Sequence, residues 1–140
     1  MSIVTREQIE NTRRWVDAFF KACDSFDVND WITDFFQPDA TIHLGNHPVM
    51  QGHEQIIKQY EGYYSFLSFV EHTVQSVDIS AERCYVRVRV ASILKNDPEQ
   101  LPIVLEGLMI IGKKSDDEKL DYFNVYIDSI PLLRRFQMCM

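Results

Sequence analysis

Cys84-Tyr85-Val86-Arg87-Val88-Arg89-Val90-Ala91 is the stretch on which the fold turns. Apolar residues stand at every second position with Arg87 and Arg89 between them, so successive side chains point to opposite faces and one face is buried. A strand of this kind needs partners, and the chain supplies them on both sides. Upstream, residues 70–80 also alternate, but their apolar parity slips between Val74 and Val77, which predicts a bulge or strong bend. Downstream, residues 103–111 form a nearly continuous apolar run, interrupted by Glu106 and Gly107, as a central strand would. Residues 120–130 make a last strand closed by Pro131. The polar segments 81–83, 95–101 and 112–119 are hairpin loops. A meander of long antiparallel strands is expected.

Ahead of it the apolar period is helical. Thr5 and Gln8 can form a capping box, each side chain satisfying a free amide of the other. Ile9, Val16, Phe19, Phe20 and Cys23 then recur at helical spacing, joined by Trp15 and Phe26, which predicts one helix over 5–25. A short second helix carries Trp31, Ile32, Phe35 and Phe36, and Pro38 ends it. Residues 40–44 read as a strand and Gly45-Asn46-His47-Pro48 as a turn. A third helix over 53–67 presents Ile56, Ile57, Tyr60, Tyr64 and Leu67 on one face. Three helices packed on one face of a curved sheet is an α+β layout.

The chain has 140 residues, the size of a single domain over 1–140. Lys plus Arg number 14 against 21 Asp plus Glu, giving a net charge of −7. An acidic chain without a Lys/Arg cluster lacks the footprint of a nucleic-acid binder. No apolar run approaches the roughly 20 residues of a membrane helix. The three cysteines, Cys23, Cys84 and Cys139, are widely spaced with no Cys-x-x-Cys pair, and residues 1–7 hold no apolar signal core. Reduced thiols and a cytoplasmic location are the expectation. There is no Gly-rich phosphate loop and no Gly-x-Ser-x-Gly elbow, so neither cofactor nor metal is expected. His43, His47 and His53 lie close in sequence, but strand, turn and helix start do not make them converge.

Three segments carry a family resemblance. They are Phe35-Phe36-Gln37-Pro38-Asp39-Ala40-Thr41-Ile42, the turn Gly45-Asn46-His47-Pro48 with Gly52 ahead of a helix, and Tyr126-Ile127-Asp128-Ser129-Ile130-Pro131-Leu132. In this element order, over almost the whole chain, they resemble the SnoaL-like group of the nuclear-transport-factor-2-like superfamily. The resemblance implies a cone-shaped α+β barrel whose highly curved antiparallel or mixed sheet and helices enclose an apolar pocket. It also implies a homodimer paired through the outer sheet face. It is unspecific for the reaction, because the superfamily holds isomerases, dehydratases, epoxide hydrolases, cyclases and binding proteins.

Three residues are candidates for chemistry. His72 shares a strand face with Val70 and Val74, where an imidazole among apolar neighbours can move a proton or simply serve as a structural histidine. Asp24-Ser25-Phe26-Asp27-Val28-Asn29-Asp30-Trp31 followed by Glu71-His72 is similar to the scytalone dehydratases. That similarity implies Asp27 as the residue polarising a partner and His72 as the one facing substrate. Phe26 stands where those enzymes have a tyrosine, and their second histidine has no counterpart here, which argues against that dehydration. Asp27 equally suits the cap of the second helix. Glu106, in the most apolar strand, resembles the acid–base carboxylate of the cyclases and ketosteroid isomerases. Alternatively it pairs across strands with Arg87 or Arg89, or faces a dimer contact. The isomerase base itself would fall near Leu44, which abstracts no proton.

Trp15, Phe19, Trp31 and Tyr60, with Tyr126 on the last strand, are candidates to line a pocket for a small hydrophobic molecule. Tyr122, Asn124, Tyr126 and Asp128 share a face, and Asp128 can instead satisfy local amides. Two functions stand open. One is a cofactor-independent isomerase, cyclase or dehydratase of a polyketide- or terpenoid-like substrate, with His72 moving the proton. The other is a non-catalytic ligand-binding or protein-interaction domain. A limonene-type epoxide hydrolase ranks below both, since Arg87 or Arg89 with Asp128 is only part of the set it needs.

Overall fold

The computed structural model describes residues 3–140. Helix α1 spans Arg6–Asp24, α2 Val28–Phe35 and α3 His53–Tyr64; the strands are β1 Phe36–Leu44, β2 Met50–Gln51, β3 Leu67–Ile79, β4 Cys84–Leu94, β5 Ile103–Ile111 and β6 Leu120–Ile127. A fourth helix, α4, covers Ile130–Met138. The strands form one six-stranded sheet in the order β2-β1-β6-β5-β4-β3. The β1–β6 pairing is parallel and the others antiparallel, so the sheet is mixed. It is open rather than closed, with β2 and β3 as its edges.

The predicted capping box is present: Gln8 N–H donates to Thr5 Oγ1, and Thr5 N–H donates to the Gln8 side chain. The predicted parity slip in β3 is a register shift between Val74 and Ser76, which leaves Gln75 as the bulged residue. Because of it Val74 and Val77 both turn toward the helices. On that inner face lie Val86, Val88 and Val90 of β4, Leu105, Met109 and Ile111 of β5, and Phe123 and Val125 of β6, all buried. Gly107 interrupts the β5 run for a local reason. The Ile127 side chain of β6 occupies the place a Cβ would take, 2.1 Å from it.

Three boundaries differ from expectation, the first being the third helix, which ends at Tyr64 with Leu67 already opening β3. The second helix stops at Phe35, and the strand already begins at Phe36, with a register jump before Thr41 that accommodates Gln37-Pro38-Asp39. Pro38 therefore lies inside a bulged strand beyond the helix end. The chain end holds a helix where strand and tail were expected. Pro131 sits in the first turn of α4, where its missing N–H and fixed φ favour initiation.

Among the described residues, no helix is long and apolar enough to cross a membrane. The space between helices and sheet is filled by aromatic rings. The Phe19 ring meets Trp15, Phe20, Trp31, Phe35, Phe36 and Phe123 at centroid distances of 5.1–5.9 Å, three of them edge to face. The aromatic wealth expected to outline a deep pocket packs against itself here.

Candidate functional site

The site grows from the corner between α1 and α2. Asp24 ends α1, and Phe26 adopts φ +67°, a left-handed conformation uncommon for an aromatic residue. Asp27 follows as the N-cap of α2, its carboxylate accepting the Asp30 N–H at 3.1 Å. The strained turn at Phe26 lets two nearby carboxylates leave in different directions. Asp27 stays at the surface on its own helix, and Asp24 reaches across to β3. The Phe26 ring lies edge-on to Tyr64 at 5.3 Å, which helps hold the corner.

Asp24 grips His72 twice. Its Oδ2 accepts the His72 backbone N–H at 2.9 Å, and its Oδ1 lies 2.5 Å from Nδ1 of the ring. A carboxylate only accepts, so the contact requires a proton on Nδ1, and in the neutral ring the lone pair is then on Nε2. Among the described residues Nε2 makes no hydrogen bond. The His72 side chain is 8% exposed and Asp24 19%. Phe20, one turn before Asp24, stacks on the imidazole at 5.1 Å and 25°. The ring is thus clamped by a carboxylate on one side and an aromatic plane on another.

Behind it stands a buried polar pair. Cys23 Sγ lies 3.0 Å from the Tyr64 hydroxyl. Burial pushes the Cys23 thiol and the Tyr60 and Tyr64 phenols up, so all three hold their protons at neutral pH. A groove of about 230 Å³ lies farther along the same seam, between α1 and the β3 bulge, lined by Arg13, Val16, Asp17 and residues 74–77.

His72 lies on the inner face beside Val70 and Val74, as the alternation required. The expected carboxylate partners do not reach it. Asp27 caps α2, and Glu106 points outward and takes Arg89 Nη2 at 3.1 Å across the β4–β5 ladder. The partner is Asp24, which the helical period could have found. Phe20, Cys23 and Asp24 fall at i, i+3 and i+4, on the stripe that faces the sheet.

The expected pocket residues take other positions. Phe19 and Trp31 are wholly buried in the aromatic core. Trp15 donates its indole N–H to the Glu118 carbonyl at 2.7 Å and carries the Lys113 ammonium over its ring at 5.4 Å. Tyr60 packs edge-on between Trp31 and Tyr64. Tyr126 is 48% exposed on the outer face of the sheet. Asp128 accepts the Ile130 N–H at 3.1 Å, the local role foreseen for it. His53 Nε2 bonds the Phe36 carbonyl at 2.8 Å. Among the described residues, Cys23, Asp24 and His72 bring three possible ligand atoms within 4.8 Å of one another, and His43, His47 and His53 form no such group.

Solved structures with the same architecture are numerous. A protein with a ketosteroid isomerase-like fold from Catenulispora acidiphila, in complex with trimethylamine, matches with a TM-score of 0.75 at 17% identity over 86% of this chain and 90% of its own. PrhC from Penicillium brasilianum matches with a TM-score of 0.77 at 11% identity over 96% of this chain and 89% of its own. A protein of Jannaschia sp. CCS1, provisionally named a SnoaL-like polyketide cyclase, matches with a TM-score of 0.74 at 14% identity over 96% and 94%. At these identities the likeness is one of fold. No curated protein sequence matches the chain. The family profile of the SnoaL-like domain matches residues 16–115. That span holds α1 from its middle onward, the Asp24–His72 clamp and the first five strands, and on it the chain belongs to the SnoaL-like domain family.

Proposed function

We propose that the chain is a cofactor-independent acid–base enzyme, an isomerase, cyclase or dehydratase of a small polyketide- or terpenoid-like molecule, with His72 as the base. The observation that carries this is the double grip of Asp24 on His72. Orienting an imidazole through Nδ1 is how a carboxylate prepares Nε2 to accept a proton, and the developing positive charge is then stabilised by the same carboxylate. Asp24 takes the positioning role that the sequence had offered to Asp27 or Glu106. The substrate would approach along the α1–β3 seam, where the groove adjoins the imidazole's element.

The test is solvent deuterium incorporation into a panel of cyclic ketones and 1,3-diketones, followed by NMR. Wild type should exchange protons α to a carbonyl above the buffer rate, and His72→Gln should lower that rate by about 10²-fold or more. Equal exchange in wild type and His72→Gln contradicts the role.

One observation favours a second reading. The aromatic rings that would wall a ligand cavity fill it instead, as suits a non-catalytic interaction domain. In either case we propose a homodimer through the outer sheet face. There Tyr85, Val104, Leu108 and Tyr126 leave 39–50% of their surface exposed around the Arg89–Glu106 pair.

A further inference from the structure

Cys23, Asp24 and His72 offer one ligand atom each, and these atoms lie within 4.8 Å of one another. Two come from the last turn of α1 and the third from β3, so the secondary structure brings them together with no loop involved. We infer that this cluster is a binding site for a borderline-soft divalent cation of the zinc class. The ligands would be Cys23 Sγ, one Asp24 carboxylate oxygen and His72 Nδ1.

The donor set favours that class. Thiolate, imidazole and carboxylate together are typical zinc ligands, whereas magnesium and calcium take oxygen alone. Three protein ligands leave a fourth position for water. The neighbouring group is also suitable: the Tyr64 hydroxyl, 3.0 Å from Cys23 Sγ, can donate to the thiolate that forms. The adjustment required is small. Two donors each about 2.1 Å from a tetrahedral ion stand about 3.4 Å apart, so the Nδ1–Oδ1 contact of 2.5 Å opens and the sulfur moves in.

Loading is a ligand exchange with a defined proton balance. The thiol proton of Cys23 leaves to solvent as the metal–sulfur bond forms. The proton on Nδ1 of His72 reappears on Nε2 as Nδ1 binds the ion, and the ion gives up water molecules in return. A His72 ring in that state has no lone pair on Nε2. The metal-loaded protein and the proton-accepting protein are then exclusive states, and the cation acts as a brake on the acid–base centre. The metal site itself does not depend on the catalytic reading.

The experiment is titration of chelator-treated full-length protein with Co²⁺ alone, followed by absorption. Wild type should develop thiolate-to-cobalt charge transfer in the near ultraviolet and intense visible bands of four-coordinate cobalt at one equivalent, and Zn²⁺ should abolish both. Cys23→Ser should lose the ultraviolet band and His72→Gln should weaken binding at least tenfold, while Cys139→Ser should leave the spectrum unchanged. Circular dichroism on each variant separates loss of the site from loss of the fold. If Cys23→Ser does not fold, His72→Gln decides. An absent wild-type spectrum, a six-coordinate one, or one retained in Cys23→Ser or of undiminished affinity in His72→Gln overturns the site. None of these outcomes decides whether the metal-free protein exchanges deuterium.

Discussion

Asp24 and Asp27 flank the same strained corner, yet they answer to different parts of the molecule. Asp27 holds only its own helix through the Asp30 N–H, so Asp27→Ala should cost the about 0.5–2 kcal/mol of an N-cap. Asp24 bridges α1 and β3 through two bonds to His72. Asp24→Asn keeps the shape, but its amide nitrogen cannot accept both donors, and urea unfolding should show a loss of about 1–3 kcal/mol. The two variants are further distinguished by activity, which Asp24→Asn should lower and Asp27→Ala should leave unchanged. Phe19 marks the other extreme. It is wholly buried and meets six aromatic neighbours, and Phe19→Ala should cost about 3–5 kcal/mol in the same unfolding measurement. Sequence spacing could say that Phe19 and Asp24 lie on the buried stripe of α1. It could not say that one carries only packing and the other a contact across the fold, because that depends on which β3 residue arrives opposite.

At the scale of elements, α4 is anchored by one buried ion pair. Arg135 donates to Asp97 from Nε at 2.8 Å and from Nη2 at 2.7 Å, and Asp97 also accepts the N–H groups of Glu99 and Leu101. The Arg135 guanidinium, helped by those amides and opposed by burial, holds the Asp97 carboxyl well below the usual carboxylate range. A carboxyl depressed in the folded state contributes stability that is full above its unfolded pKa of about 3.9 and is lost as pH falls toward the folded value. Asp97→Asn should therefore lower Tm at pH 7, and the gap to wild type should narrow below about pH 4 in thermal melts. The legibility of elements follows how local their cause is. The capping box, the period of α1 and the Gln75 bulge rest on residues adjacent in sequence, and they were readable. Helix α4 was not, because Pro131 suits a strand end and a helix start equally. Its deciding partner, Asp97, lies 38 positions away from Arg135. The spacing of Leu132 and Phe136, one helical turn apart, was the signal available.

For the whole molecule, the α+β layout and the family were legible because they depend on element order and on alternation, which the burial pattern of β4 reproduces residue by residue. The interior was not, since the count of aromatic residues is the same whether they line a cavity or fill it. The same limit applied to the sheet faces: parity separates Glu106 from Leu105 but does not say which face meets the helices. With Leu108 and Tyr126 exposed side by side in register on the outer face, Leu108→Asp should convert the proposed dimer to monomer in sedimentation velocity without changing the circular dichroism spectrum. The clamp that joins α1 to β3 carries the proposed chemistry. It is tested most directly by long-range ¹H–¹⁵N correlation of the histidine rings at pH 8 in chelator-treated full-length protein. The prediction is a His72 ring protonated on Nδ1 and bare on Nε2, with that arrangement lost in Asp24→Asn. A proton on Nε2, or a His72 spectrum unchanged by Asp24→Asn, would contradict it.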